Sequence, residues 1–408
     1  MATTTGIPGA STHAQQVMDL ERQYLLQNYA RYNLVLKRGD GCWLYDVDGR
    51  RYLDLLSGIG VNALGHNHPR ITEVIREQAA LLIHSSNLYY HEYQGPLAKI
   101  LAETSGLDRV FFCNSGTEAM EGAIKMMRSH GRKLSPDKFE IVSLENSFHG
   151  RTMGALSLTG QPKYREPFEP LLEGVKFVPR RDDAALEAAV SERTAGIVIE
   201  SIQGEGGIYP VCERFVRKAR QLADRFNALL VFDEIQSGVG RPGRHYAFQL
   251  HEPQIKPDVL AIAKPIACGL PLGAIMCNER AAAAIAPGMH GTTFGGSALA
   301  CRVAIEFYDI LKDLMPRMVR VGDYFRAGLR DLASRYPFIK EVRGEGLMIG
   351  VEPDFPCKHL VGAAQEVGLL INVTHDTTIR MLPPYIIEQP EVDLALEGLD
   401  RILQTARQ

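Results

Sequence analysis

The chain has 408 residues, 45% of them hydrophobic and 23% charged, with a formal net charge of −3. That length predicts two domains rather than one small core, and the near-balanced charge leaves no electrostatic footprint for nucleic acid or an anionic membrane. No apolar run approaches the roughly 18–20 residues of a membrane span, and the start, MATTTGIPGAST, lacks the basic and apolar parts of a secretory signal.

Residues 1–14 read as disordered by composition. QQVMDLERQY, from Gln15 to Tyr24, suits a helix, and CWLYDVDGRRYLDL reads as a hairpin turning on Asp48-Gly49. His66-Asn67-His68-Pro69 closes a glycine-punctuated loop, and the absence of an acidic or cysteine companion favours a packed loop over a metal site. Helices are expected near Pro69–Ile83 and Gly95–Ser105. From Arg109 the style changes, and short, wholly apolar runs alternate with helical patterns such as Thr117–Arg128 and Glu213–Phe226. The seven strand candidates are Val110–Cys113, Glu140–Leu144, Val175–Val178, Gly196–Ile199, Leu229–Phe232, Val259–Ala263 and Ala274–Cys277. Strands apolar on both faces predict a mostly parallel α/β sheet covered by helices. The chain turns helical again over 299–334, then mixes strands (341–351, 378–382) with helices (358–367, 390–405). The expected architecture is a large central unit, 61–299, and a smaller α+β one built from 15–60 and 300–408. The seven cysteines form neither a CxxC pair nor a zinc spacing, which predicts reduced thiols, a cytosolic compartment and no metal.

Several stretches carry chemistry. In PDVLAIAKPIACGLPLGA, Lys264 ends an apolar strand; it is either a desolvated Schiff-base nucleophile or a strand terminator with its charge in water. In FFCNSGTEAMEG, Ser115-Gly116-Thr117 open a helix, either as a cradle for a phosphate or as an ordinary cap. Asp233, in LLVFDEIQSGVGR, stands at a strand's carboxyl end, where open α/β sheets place ligands. Phe148 and Arg151, in SFHGRT, pair a stacking aromatic with a carboxylate clamp, or are a buried ring and a solvated cation. Glu200 and Glu205 flank a glycine-rich loop, HGTTFGG at 290–296 suits phosphate oxygens, and Arg380 is isolated on an apolar strand, where an arginine needs a carboxylate partner. Together they supply what pyridoxal phosphate chemistry requires.

From about Asn28 onward the chain resembles the class-III, fold-type I aminotransferases, most of all their ornithine-type branch. The resemblance rests on RGDGCWLYDVDGRRYLDLLSGIGVNALGHNHP, VFFCNSGTEA, ENSFHGRT, SIQGEGG, LLVFDEIQSGVGR, the lysine stretch and HGTTFGG, in that order. It implies a homodimer with shared active sites and pyridoxal 5'-phosphate as cofactor. The implied reaction moves the δ-amino group of N-acetylornithine to 2-oxoglutarate; succinylornithine, ornithine, 4-aminobutyrate or a lysine-pathway substrate are the alternatives.

By position, the resemblance implies Lys264 as the Schiff-base lysine. It puts Asp233, Glu234, Ile235 and Gln236 around the ring, with Asp233 on its nitrogen and Gln236 by its hydroxyl. Phe148 would stack on the ring, and Ser115, Gly116 and Thr117 would bind phosphate together with Thr293 of the partner subunit. Arg151, with Thr292 of the partner subunit, would take the donor's α-carboxylate; Arg380 would take that of the acceptor, masked by Glu205 when the distal amine is bound. Tyr29 would border the pocket. The chain departs from the family pattern at Pro265 (glycine is usual), Ser201 (proline), and Met120 and Ser297 (asparagine). Pro265 is expected to push Lys264 away from helical angles.

Overall fold

The apolar runs form strands, and five of the seven are buried on both faces. The computed structural model describes residues 11–251 and 253–407. An N-terminal meander comprises β1 (Leu36–Asp40), β2 (Trp43–Asp46) and β3 (Arg51–Asp54), and the Asp48-Gly49 turn joins the last two with Gly49 at φ +85°. The central strands are β4 (Arg109–Cys113), β5 (Glu140–Leu144), β6 (Val175–Val178) and β7 (Thr194–Glu200). After the short ribbon β8 (Ile202–Gln203) and β9 (Tyr209–Pro210) come β10 (Leu229–Asp233), β11 (Val259–Ile262) and β12 (Gly273–Cys277).

Seven of these make one sheet in the order β4-β12-β11-β10-β7-β5-β6. All neighbours are parallel except β12, which is antiparallel to both β11 and β4. Every residue of β5, β7, β10, β11 and β12 is buried, as expected for a sheet covered by helices. The topology brings the carboxyl ends of β4, β5, β7, β10 and β11 to one edge: Asp233 is paired with Glu200 on one side and Ala261 on the other. The loops that follow these strands all open there.

The C-terminal part holds β13 (Ile339–Glu345), β14 (Met348–Pro353), β15 (Leu369–Leu370), β16 (Asn372–Thr374) and β17 (Thr378–Met381). The stretch 341–351, expected as strand throughout, is a hairpin of β13 and β14. It turns at Gly346, whose φ of +54° suits a residue without Cβ. β15 pairs in parallel with β3, so the two ends of the chain share a sheet. The helix Ala298–Arg335 spans 38 residues with Pro316 inside it, and its Phe307, Leu311, Phe325 and Leu329 are buried. Ser297 caps this helix, accepting from Ala300 N at 3.4 Å.

Of the stretch 1–14 expected to be disordered, residues 1–10 lie outside the described residues. Thr12–Ala14 instead open the helix Thr12–Tyr24, because the Ser11 hydroxyl accepts from Ala14 N at 3.2 Å. The His66 loop is packed, with His66 Nε2 at 2.8 Å from Asp54 Oδ2.

Candidate active site

At the carboxyl edge of the sheet lies a cavity of about 400 Å³. Each strand-end loop contributes a wall. Asn114–Thr117 follow β4, Phe148–Arg151 follow β5, Glu205 lies beyond β7 on the loop after β8, Ile235–Ser237 follow β10, and Ala263-Lys264 with Gly269–Leu272 follow β11.

Lys264 opens a single 3-10 turn, Lys264–Ala267, with φ +42°. It does leave right-handed helical angles, as expected before Pro265, but to the left-handed side. A residue with a Cβ is strained there, and strain of this kind persists only where the surroundings over-determine it. Its amine makes no hydrogen bond or ion pair among the described residues. Burial pushes the Lys264 pKa down, helped by Arg380; Glu205, Asp233 and Glu200 pull the other way without reversing the shift. Burial thus favours the uncharged, nucleophilic form of the amine that faces the cavity.

Asp233 is held from two sides. Its Oδ1 accepts from Ile235 N at 3.0 Å, and its Oδ2 lies 2.7 Å from His149 Nδ1. A carboxylate only accepts, so the proton of this contact belongs to Nδ1. His149 is buried, and its Nε2 has no partner. The sequence assigns His149 no role; the available signal is its place in SFHGR, directly after the strand that precedes the site. Glu200, beside Asp233, is pushed well above the carboxylate range by burial and then by the Asp233 charge. It accepts from Phe148 N at 3.0 Å and Gly204 N at 3.3 Å, tying the aromatic wall to the Glu205 loop.

The anion cradle is the start of the helix Gly116–Leu134. Ser115 caps it, with Oγ accepting from Glu118 N at 3.3 Å. The N–H groups of Gly116 and Thr117 have no partner among the described residues. A Cβ at Gly116 would stand 2.7 Å from Ile235 Cγ2, so only glycine lets the backbone approach here. Thr152 Oγ1 donates to Glu121 Oε1 at 2.5 Å, and Thr117 Oγ1 lies 2.9 Å from Thr152 Oγ1. Since the single Thr152 proton goes to the carboxylate, Thr117 is the donor in that pair, and its backbone N–H is what it offers to an anion.

Arg380 is almost fully buried on β17. It is ion-paired with Glu205, reaches Gln236 Oε1 at 3.4 Å and donates to Asn372 Oδ1 at 2.8 Å. Burial alone would raise the Glu205 carboxyl; Arg380 outweighs it, with help from Lys264 and Gln236, and holds it below the ordinary value. Arg151 is exposed at the opposite wall and has no carboxylate partner among the described residues.

Lys264, Asp233, Ser115, Gly116, Thr117, Phe148, Ile235, Gln236, Arg151 and Glu205 thus line one cavity, and Arg380 stands directly behind Glu205. The other expected positions lie elsewhere within this chain. Glu234 points away: its carboxylate is fully buried, accepting from Ser201 Oγ, Ala247 N and Phe248 N. Tyr29 is 69% exposed beside Arg31, in a separate groove with Val17 and Glu21. Thr292 accepts from Asn114 Nδ2 at 3.0 Å, behind the cradle, and Thr293 follows it on the same outer loop. Ser201, where proline is usual, is the residue that donates to Glu234 at 2.7 Å. Among the described residues no His, Cys, Asp and Glu cluster could hold a metal.

A desolvated amine, an anchored carboxylate, free helix N–H groups and an aromatic wall around one cavity define a site for a phosphorylated, ring-containing cofactor that works on amines. The comparisons make this specific. Residues 24–403 match the class-III aminotransferases, and the chain belongs to that family. It is 47% identical over 388 residues to the acetylornithine aminotransferase of Methanocaldococcus jannaschii, covering 94% of this chain and 97% of that one. The acetylornithine aminotransferase of Aquifex aeolicus is 45% identical over 93% of this chain and all of its own length. Among solved structures, ornithine aminotransferase from Toxoplasma gondii superposes with a TM-score of 0.91 at 32% identity, covering 97% of this chain and 96% of its own. Acetylornithine aminotransferase from Elizabethkingia anophelis does so with a TM-score of 0.85 at 30% identity, covering 96% and 99%. The sheet is that of fold type I, and the enzyme is a pyridoxal 5'-phosphate-dependent aminotransferase. The Gly116 cradle and the unpartnered Lys264 amine fit that cofactor.

Proposed function

We propose that the chain transfers the δ-amino group of N-acetylornithine to 2-oxoglutarate, in arginine biosynthesis. The observation that carries this reading is the ion pair of Glu205 with the buried Arg380. An arginine whose counter-ion sits on a separate loop suits two unlike substrates in turn: masked, it tolerates a plain CH₂–NH₂ end; uncovered, it takes the α-carboxylate of a 2-oxo acid. Arg151, unpaired on the opposite wall, suits the carboxylate of the acylated donor. The names of the relatives support the same substrate.

When bound, pyridoxal phosphate supplies an aldehyde that exchanges amines and a ring that accepts electrons from the reacting carbon. Ser115, Gly116 and Thr117 would hold its phosphate, with Thr293 of the partner subunit. Phe148 would cover one ring face, Gln236 would reach the ring hydroxyl, and Ile235 would pack beneath the cradle. Asp233, fixed in place by its Ile235 and His149 contacts, would hold a proton on the ring nitrogen. Lys264, whose burial favours the uncharged amine, would take the proton from the donor's δ-carbon and return it one position away.

A homodimer is part of the proposal. Leu81, Ile83, Leu88, Tyr89, Tyr90 and Phe294 are exposed, and the 84–94 segment is bonded to the 290–296 loop through Asn87, His91 and Gln94. An apolar surface of this kind next to the loop of Thr292 and Thr293 suits burial against a second copy. Residues 61–299 as the cofactor-binding unit, with 15–60 and 300–408 as the smaller one, belong to the same reading; the β3–β15 pairing supports it. The seven free thiols, five of them buried, support a cytosolic setting.

The test is steady-state kinetics with N-acetylornithine, N-succinylornithine, ornithine and 4-aminobutyrate as donors to 2-oxoglutarate. N-acetylornithine is expected to have the highest kcat/KM; a much higher value for ornithine or 4-aminobutyrate would refute the substrate assignment.

A further inference from the structure

Besides Lys264, the cavity is lined by a basic side chain, Arg151, whose position nothing charged explains. Arg151 lies on a loop, is exposed and has no carboxylate partner among the described residues, and an arginine side chain so placed samples many rotamers unless something orders it. The ordering element is aromatic. The Arg151 guanidinium carbon stands 3.9 Å from the centre of the Tyr164 ring and 5.6 Å from that of Phe148. The two rings meet edge to face, with centroids 6.2 Å apart and planes at 85°. Tyr164, on the short helix Pro162–Arg165, does not itself line the cavity. Its hydroxyl makes no hydrogen bond among the described residues, so the ring is what it contributes. Lys163 Nζ also stands over this ring, at 5.0 Å.

We propose that Tyr164 is a positioning residue for donor selection: its ring holds the Arg151 fork aimed into the cavity, and its contact with Phe148 sets the distance between that fork and the cofactor wall. A guanidinium on an aromatic face keeps its N–H edge free, whereas one held by a carboxylate does not. The site therefore has a charged group ordered in advance and still available to the donor's carboxylate, which lowers the freedom lost on binding. The inference rests on the role of Arg151 given above, and the experiment separates the two.

The holoenzyme and its Tyr164→Leu, Tyr164→Met, Tyr164→Phe and Arg151→Ala variants are compared. Two quantities are read: the KM values for N-acetylornithine and for 2-oxoglutarate, and the calorimetric Kd for N-acetyl-L-norvaline, a carboxylate probe without the reacting amine. Tyr164→Leu and Tyr164→Met, which lack the π face, are expected to raise the donor KM and the probe Kd by about five- to tenfold, while the acceptor KM stays within about twofold. Tyr164→Phe keeps the ring and is expected to restore both. If Leu and Met leave donor and probe unchanged while Arg151→Ala weakens them, Tyr164 has no such role and the reading of Arg151 stands. If Arg151→Ala also leaves them unchanged, the reading beneath the proposal fails. An equal loss for both substrates in the Leu and Met variants, or no rescue by Phe, would mark Tyr164 as merely structural and overturn the proposal.

Discussion

Glu205 and Arg380 form an ion pair across 175 residues of chain, joining the loop after β8 to the buried strand β17. The loop is anchored by Thr374 Oγ1, which donates to the Glu205 carbonyl at 2.7 Å, so the carboxylate can leave the arginine while its backbone stays in place. Removing the charge should separate the two half-reactions. In Glu205→Gln an incoming carboxylate no longer competes for Arg380, and KM for 2-oxoglutarate should fall by about tenfold, or about 1.4 kcal/mol. The donor half-reaction should slow, because the exposed arginine faces an amine end. Single-turnover measurements of each half check this; equal losses in both would contradict the gating role.

Lys264 should carry the proton transfer. Lys264→Ala is expected to lower kcat by about a thousandfold, within the range for a positioned general acid–base. The purified protein should be yellow, and borohydride should fix the chromophore in the parent but not in the variant. A colourless parent that ignores added cofactor would contradict the assignment.

Asp233 and His149 should act as a unit, because the imidazole is the donor that fixes Oδ2. Asp233→Asn keeps the size and loses the charge, and should cost about a thousandfold in kcat. His149→Phe leaves the carboxylate less fixed and should cost less, about tenfold. The double variant should fall short of the product of the two losses. Full additivity of the logarithms in kcat would show that the histidine acts elsewhere.

Glu234 should make stability pH-dependent without touching substrate. Burial raises its carboxyl from 4.5 to about 7, despite the hydrogen bonds from Ser201, Ala247 and Phe248. Folding therefore takes up a proton here between those values. The contribution is fully present below pH 4.5 and is lost as pH rises through 7, by about 3 kcal/mol at most. In denaturant titrations the stability of the parent relative to Glu234→Gln should decline over that window. A flat difference would show that the donors already keep the group ionised.

Much of this site is legible in the residues. Lys264, Asp233 and Ser115–Thr117 each end an apolar run, and a parallel sheet brings such ends to one edge, so sheet topology alone makes them neighbours. Glu234 departs from its expected place because it follows Asp233 on a tight turn; one residue further along, the side chain faces the other way, toward Ala247 and Phe248. His149 is silent in the sequence because a histidine in a loop carries no period or spacing to mark it.

What the amino-acid order determined by itself was local: which runs are strands, where glycine permits close approach, and which charged residues sit at strand ends. Non-local matters belonged to the tertiary structure. That β3 from the start of the chain pairs with β15 near its end, that Glu205 meets Arg380, and that Tyr164 lies under Arg151 are contacts between segments with no shared pattern. Hydrophobic periodicity encodes which face of a segment is buried, but not against what. Only packing the faces together settles which charges meet, and the electrostatics of the site, from the lowered Lys264 to the raised Glu200, follows from those meetings.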